Sequence, residues 1–154
     1  MSASDSPFPA VADDLDTVLL EALPRLSALD DAKSLVPRAP GAWTPRESLG
    51  HLVDSAVNNH QRFVRAQVDP SLAFPGYEQE GWVAVQGYRE RPFSEIVHLW
   101  HALNVHLCHV IRRLPAEAAS LRCTIGGDAP VTLEFVARDY VRHLRHHLGQ
   151  VLTG

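Results

Sequence analysis

The chain of 154 residues is 45% hydrophobic and 21% charged, which is typical of one globular domain with its own buried core. Its formal net charge of -4 argues against a nucleic-acid partner, because such proteins need a basic stripe to neutralise phosphates. No apolar run approaches the roughly 20 residues of a membrane span, and the two cysteines stand outside any metal-binding spacing. We therefore expect one cytoplasmic domain over residues 1–154, without a membrane partner, in which residues 1–9 form a flexible leader.

The first helix is predicted within the segment from Asp13 to Leu35. Acidic side chains fill its first turn, where the partial positive charge of a helix N-terminus favours them. Pro24 lies on the side opposite the apolar stripe, so we expect it to kink or split the helix near residues 20–24 without touching the core. The apolar residues that recur with a helical period are Leu15, Val18, Leu19, Ala22, Leu26 and Leu29.

The clearest start signal in the sequence belongs to the second helix. Thr44 supplies an N-cap hydroxyl, Pro45 suits the first helical position, and Glu47 is spaced to close a capping box. We expect this helix to run to about Gln67. Its core-facing residues are expected to be Leu49, Leu52, Val53, Ala56, Phe63 and Val64.

The opposite side of the second helix carries His51 among the polar residues Glu47, Asp54, Ser55 and Asn58. Helical rotation alone favours a histidine on the solvated surface. The alternative is that this side borders a wet pocket at the open end of a bundle, with Asp54 or Asn58 near a ligand. The pattern of this helix leaves both interpretations open.

A long connection, residues 68–92, precedes the third helix and is rich in proline, glycine and aromatic residues. A connection of this length usually has a function or covers something. We therefore expect its aromatic side chains to pack over one end of the bundle and to help form the wall of a pocket. A short helix is predicted around Glu80 to Gln86.

The third helix is predicted from about Ser94 to Arg113, followed by a proline that ends it. Its core stripe is expected to be Ile96, Trp100, Leu103, Leu107, Val110, Ile111 and Leu114. Four histidines turn away from that stripe, namely His98, His101, His106 and His109. We expect them to face solvent or a second subunit, and with the Trp and Tyr residues of the connection they suggest a homodimer surface.

The last helix is predicted from Thr132 to Leu152, after a strand-like segment at Leu121 to Ile125 and a Gly-Gly-Asp turn. His143 and His147 are four residues apart, so their imidazoles lie one above the other and can aim at one point. His146 points away from them. Because a zinc-type ion needs at least three protein ligands, a third ligand has to come from elsewhere in the chain.

Two motifs carry a family resemblance. The second helix begins with Trp-Thr-Pro-Arg-Glu-Ser-Leu-Gly-His-Leu-Val-Asp (43–54), and the last helix contains Asp-Tyr-Val-Arg-His-Leu-Arg-His-His-Leu-Gly-Gln-Val (139–151). With four amphipathic helices and a long crossover between the second and third, these motifs resemble the DinB-like superfamily, which includes DinB and YfiT proteins. The resemblance implies an all-α four-helix bundle and a site for a divalent ion, typically zinc or nickel, formed by His51, His143 and His147.

Three imidazoles leave at least one coordination position open. Water at that position would favour a metal-dependent hydrolase, whereas a low-molecular-weight thiol would favour a thiol-dependent S-transferase, in either case with a small-molecule substrate. The sequence does not separate these two activities. Glu47 and Asp54 are candidate general bases only by proximity. The second hypothesis is therefore a non-catalytic small-ligand-binding or stress-response module whose metal is structural or absent.

Overall fold

Four long helices and one short helix account for most of the computed structural model, which describes residues 5–69 and 71–153. Their bounds are α1 Phe8–Ala28, α2 Pro45–Val68, α3 Gln79–Gln86, α4 Phe93–Arg112 and α5 Leu133–Leu152. The same described residues contain the short strands β1 Ala73–Phe74, β2 Arg122–Ile125 and β3 Val131–Thr132. The predicted four-helix bundle is confirmed, and α3 lies inside the long crossover between its second and third long helices.

The long helices pack so that α1 contacts α4 and α5, and α2 contacts the same two helices. Helices α1 and α2 therefore lie across the bundle from each other, although they are consecutive in the sequence. This arrangement makes α2 a neighbour of α5. The two helices that carry the predicted metal ligands are thus packed side by side.

A single apolar core joins the four long helices. Each large apolar side chain that is fully buried there contributes about 1.5–3 kcal/mol to stability. The prediction was wrong for Val64, which is 37% exposed because Phe63 and Ala66 take the core-facing positions of that part of α2. The largest side chains that are fully buried include Trp100, Phe8, Phe63, Leu15, Leu26 and Leu49. Among the described helices, none combines the length and the hydropathy that crossing a membrane requires.

Helix α1 begins and ends earlier than its apolar pattern predicts. It begins at Phe8, whose side chain is fully buried and anchors the first turn in the core. Phe8 and Pro9, which the sequence assigned to a flexible leader, therefore belong to the helix, while residues 1–4 of that leader lie outside the described residues. Pro24 lies exposed inside α1, which is not split there, and the helix ends at Ala28 instead of near Leu35.

The strands form a small sheet in the order β1-β2-β3. The strand-like segment and the Gly-Gly-Asp turn form a hairpin, since β2 and β3 pair antiparallel and are joined through Gly126 and Gly127, both with positive φ. Strand β1 pairs parallel to β2, with Phe74 opposite Ile125. This pairing could not be read from the sequence, because β1 has only two residues. It ties the crossover to the hairpin, beside the interface of α2 and α5.

The N-terminal end of α2 is held by two polar arrangements. The predicted capping box is present, with the Thr44 hydroxyl accepting from the Glu47 backbone N–H and the Glu47 carboxylate accepting from the Thr44 backbone N–H. The buried Arg46 side chain joins two loops, since its Nη2 lies 2.9 Å from Asp31 Oδ1 and its Nη1 donates to the Arg91 carbonyl at 2.6 Å. Both arrangements fix the helix one turn before His51.

Candidate metal centre

Three histidines from two neighbouring helices meet at one point. His51 projects from α2, and His143 and His147 project from successive turns of α5, so that one nitrogen of each ring lies within 4.8 Å of the others. The Nε2 atoms of His51 and His143 are 3.4 Å apart. Two nitrogens bound to one tetrahedral ion with bonds of about 2.0–2.1 Å are separated by about 3.4 Å. The donor set and its spacing therefore fit a zinc-type ion.

His51 is fully buried, so the surface position favoured by helical rotation was wrong. Its neighbours Asp54 and Ser55 on the same side of α2 are only 2% and 3% exposed. The burial comes from tertiary contacts, since α5 packs against this side of α2 and the crossover covers the part of the helix surface that α5 does not contact. The alternative expectation, that this side borders a pocket, agrees with the structure.

The three imidazoles are neutral at physiological pH. Burial, followed by the charges of His147 and His143, lowers the pKa of His51 to about 4. Burial is also the main cause that lowers the pKa of His143 to about 4, and it lowers the pKa of His147. Because an imidazole must be deprotonated to bind a metal ion, these shifts leave the lone pairs available.

The free energy of unfolding of the metal-free protein is expected to fall as the pH drops from 7 to 5. Between the folded pKa of about 4 and the ordinary value of 6.5, the unfolded chain binds more protons at His51 and His143, so acid favours unfolding. Urea denaturation with a chelator present should show a loss of about 2–3 kcal/mol. The variant His143→Gln should lose part of this dependence, whereas a wild-type stability independent of pH would contradict it.

Gln150 and Trp43 support the histidines from outside the cluster. Gln150 Oε1 lies 3.0 Å from His147 Nδ1, which favours the tautomer whose Nδ1 carries the proton and whose Nε2 is free for an ion. The Trp43 ring lies 5.1 Å from the His51 ring and covers it. Sequence reasoning missed both residues, although Gln150 follows His147 by three positions and therefore shares its side of α5.

The change Gln150→Ala is expected to weaken metal binding about tenfold, because hydrogen-bond partners of metal-binding histidines typically contribute this much. Competition with a chromophoric chelator measures the affinity. Gln67→Ala is a suitable control, since among the described residues Gln67 bonds only to its own helix, through the Phe63 carbonyl. An unchanged affinity in Gln150→Ala would show that Gln150 does not orient His147.

A buried network beside His51 fastens the crossover to α2. Asp54 Oδ1 accepts from the Tyr88 hydroxyl and from Gln86 Nε2, each at 2.7 Å. Burial is the main cause that raises the pKa of Asp54. Its Oδ2 and the Nδ1 of His51 are both buried without a hydrogen-bond partner among the described residues. The network places a carboxylate one helical turn from His51.

Glu47, the other candidate general base, is engaged at the start of α2. Its Oε1 accepts from the backbone N–H of Thr44 at 3.1 Å and from the hydroxyl of Thr44 at 3.0 Å. Arg89 Nε lies 3.7 Å from the same oxygen. These contacts give the Glu47 carboxylate a structural role in the capping box.

A cavity of about 270 Å³ opens beside His143, between α2 and α5. Tyr77 and Gly76 of the crossover close one side, which confirms that the crossover helps form the wall of a pocket. The polar residues that line it are Ser55, Asn59, Arg62, Tyr77, Gln79, Asp139, Tyr140 and His143. Arg62 and Asp139 were missed in the sequence, although Asp139 precedes His143 by four residues and so lies on the same side of α5.

The remaining histidines lie outside this centre, as expected. His146 is exposed, and the four histidines of α4 are exposed or half-buried away from the core. The His106 ring lies 5.3 Å from the tilted ring of His60 of α2 and 6.3 Å from the ring of His109. Cys108 is buried and its pKa is raised to about 12, mainly by burial, so it packs as a thiol.

Comparisons with known proteins find relatives whose names describe metal-dependent hydrolases. The chain is 26% identical to "Putative metal-dependent hydrolase OB0413" of Oceanobacillus iheyensis over 128 residues, which cover 82% of this chain and 72% of that protein. It is 24% identical to "Putative metal-dependent hydrolase YfiT" of Bacillus subtilis over 128 residues, which cover 82% of this chain and 71% of the relative.

The fold is also that of a solved structure. The structure of YfiT from Bacillus subtilis, described as having "an unusual four-helix bundle topology", superimposes with a TM-score of 0.77 at 23% identity. The match covers 92% of this chain and 84% of that one. A family model for the DinB superfamily matches residues 14–151. The chain therefore belongs to the DinB superfamily.

Proposed function

We propose that the protein binds one divalent metal ion through His51, His143 and His147 and acts as a metal-dependent hydrolase on a small molecule. The observation that supports this most is the convergence of three neutral imidazoles, with two Nε2 atoms 3.4 Å apart. The names of the relatives from Oceanobacillus iheyensis and Bacillus subtilis agree with this activity. Zinc or nickel is the proposed ion, since imidazole suits both.

An ion bound to three histidines would supply a Lewis acid and a water of lowered pKa, which is the chemistry that hydrolysis needs. The side chains of this protein would supply position and shape. His147 is held by Gln150, and His51 is covered by Trp43, so both rings keep one orientation. The adjoining cavity of about 270 Å³ admits a small molecule next to His143.

Asp139 is the carboxylate best placed to accept a proton from a reacting molecule. It lines the cavity together with His143, and it lies one turn before this histidine on α5. Its Oδ1 accepts from Arg142 Nη2 at 2.6 Å, which holds the carboxylate in place on α5. Asp54 is buried in its network with Tyr88 and is better suited to holding the crossover than to exchanging protons.

The proposal is tested on protein purified without a histidine tag. Elemental analysis after loading should find about one ion per chain, and less than about half an equivalent would contradict the proposed site. The loaded protein should hydrolyse members of a panel of small esters and amides. The same panel offered with small thiols tests thiol-dependent S-transfer, which the same open position could support.

Removal of the ion separates a catalytic from a structural role. If the ion is catalytic, a chelator should abolish activity while the metal-free chain stays folded, although its melting temperature falls because the free energy of ion binding is lost. If the ion is structural, removing it should unfold the chain at room temperature or leave it close to unfolding. The second result, with no activity on the panel, would favour a small-ligand-binding module.

A further inference from the structure

Arg62 is a half-buried cation that has no counter-ion within residues 5–69 and 71–153. It lines the cavity beside the histidine cluster and is the one arginine or lysine among the described residues that do so. Its Nη1 donates to Asn59 Oδ1 at 3.3 Å, and it forms no ion pair with a carboxylate of the described residues. Burial lowers its pKa. A charge held in this way is costly unless a partner compensates it.

The other arginines of the described chain differ from Arg62. Those paired with a carboxylate are Arg46, Arg65, Arg89, Arg91, Arg112, Arg138, Arg142 and Arg145. Those without such a pair are Arg25, Arg38, Arg113 and Arg122, and all of these are exposed to water. Arg62 alone in this described set combines partial burial with the lack of a carboxylate. Its missing partner is therefore expected to be a ligand.

The placement of Arg62 relates it to the metal centre. His51, Ser55, Asn59 and Arg62 follow one another at steps of four, four and three residues, so they form one stripe along α2. From the first to the last of these residues the helix rises roughly 16 Å. His143 and Arg62 line the same cavity, which therefore extends along this stripe.

The cavity also contains one carboxylate, which is already compensated. Asp139 Oδ1 accepts from Arg142 Nε at 2.9 Å and from Arg142 Nη2 at 2.6 Å. Its charge is thus balanced within α5. The guanidinium of Arg62 stays free for an incoming anion.

We propose that Arg62 binds a terminal oxyanion, a carboxylate or a phosphate, of an elongated small substrate whose reacting end lies at the three histidines. The planar guanidinium can donate two parallel hydrogen bonds to either group. Asn59 would hold the guanidinium through its Oδ1. This substrate class deepens the proposed function and rests on it.

The test uses protein loaded with cobalt(II), whose absorption spectrum reports a thiolate that binds the ion. The ligands are linear thiols of increasing length that end in a carboxylate, a phosphonate or a neutral carboxamide. At the best length, an anionic thiol should bind wild type at least about tenfold more tightly than the carboxamide. The preferred anion then distinguishes a carboxylate substrate from a phosphate ester.

Arg62→Gln should abolish this preference and leave the affinity for the carboxamide unchanged. Arg62→Lys should keep part of the preference, since it retains the charge but not the planar fork. Arg65→Gln is the matched control, because Arg65 lies on the same helix, is exposed and pairs with Asp69. It should keep the full preference.

Three results would overturn the proposal: equal affinities in wild type at every length, a preference that persists in Arg62→Gln, or an equal loss in Arg65→Gln. Metal-free protein separates this failure from failure of the metal site. Titration with glutarate should shift the Nε–H resonance of Arg62 and not that of Arg65. If cobalt(II) does not bind, the metal proposal fails, and the presence or absence of this shift decides the role of Arg62.

Discussion

His147→Ala is expected to weaken binding of zinc or nickel by at least about a hundredfold, whereas His146→Ala should leave it nearly unchanged. The first change removes one of the three proposed nitrogen donors, and loss of even an indirect partner of a ligand costs tenfold to about a hundredfold. The second removes an exposed ring that lies outside the three-histidine cluster, with its Nε2 3.4 Å from Gln150 Nε2. Isothermal titration with both variants measures the difference.

The two histidines are adjacent, so the pair is a stringent control for general effects of charge and helix propensity. Circular dichroism should show that both variants keep the helical content of wild type, because neither side chain is part of the buried core. Equal losses of affinity in the two variants would contradict the assignment of His147 to the centre.

Gly50→Ala is expected to destabilise the protein by about 3 kcal/mol, roughly 10 °C in melting temperature. A Cβ atom at this position would lie 2.2 Å from Tyr88 Cδ2 and 2.4 Å from Tyr88 Cγ. The Tyr88 ring is buried and cannot stay in place, so the change should also break the 2.7 Å hydrogen bond from its hydroxyl to Asp54. Thermal unfolding followed by circular dichroism measures the effect.

Gly149→Ala provides the matched control. Gly149 is also a helical glycine, but a Cβ atom there would meet nothing within 4 Å. This change should raise the stability by up to about 1 kcal/mol, since alanine favours a helix over glycine. A Gly50→Ala variant as stable as wild type would show that the Tyr88 ring does not pack closely against Gly50 of α2.

The fold could be predicted from local patterns because each long helix has a strong signal of its own. The capping box at Thr44 and the apolar stripe of α5 lie where the sequence placed them. Strand β1 and the early start of α1 could not be predicted in this way, because both depend on contacts with distant segments. Phe8 enters the helix because the core offers it a buried position.

The candidate site was only partly accessible to sequence reasoning. The pairing of His143 with His147 follows from helical spacing, but helical rotation alone predicted that His51 lies on the solvent-exposed side of α2. Its burial depends on which helix packs against α2, and this is a property of the whole bundle. The family resemblance, and not the helical periodicity, predicted His51 as the third ligand. Arg62 was missed because a single arginine on a helix carries no signal until its partners are known.

X-ray absorption spectroscopy of the tag-free protein, loaded with zinc, tests the central claim most directly. We predict a first coordination shell of nitrogen and oxygen at about 2.0–2.1 Å, with the multiple scattering of three imidazoles. His51→Gln should reduce that contribution by one ring. A shell of sulfur atoms at about 2.3 Å, or the scattering of fewer than two imidazoles, would contradict the assignment of the ion to His51, His143 and His147.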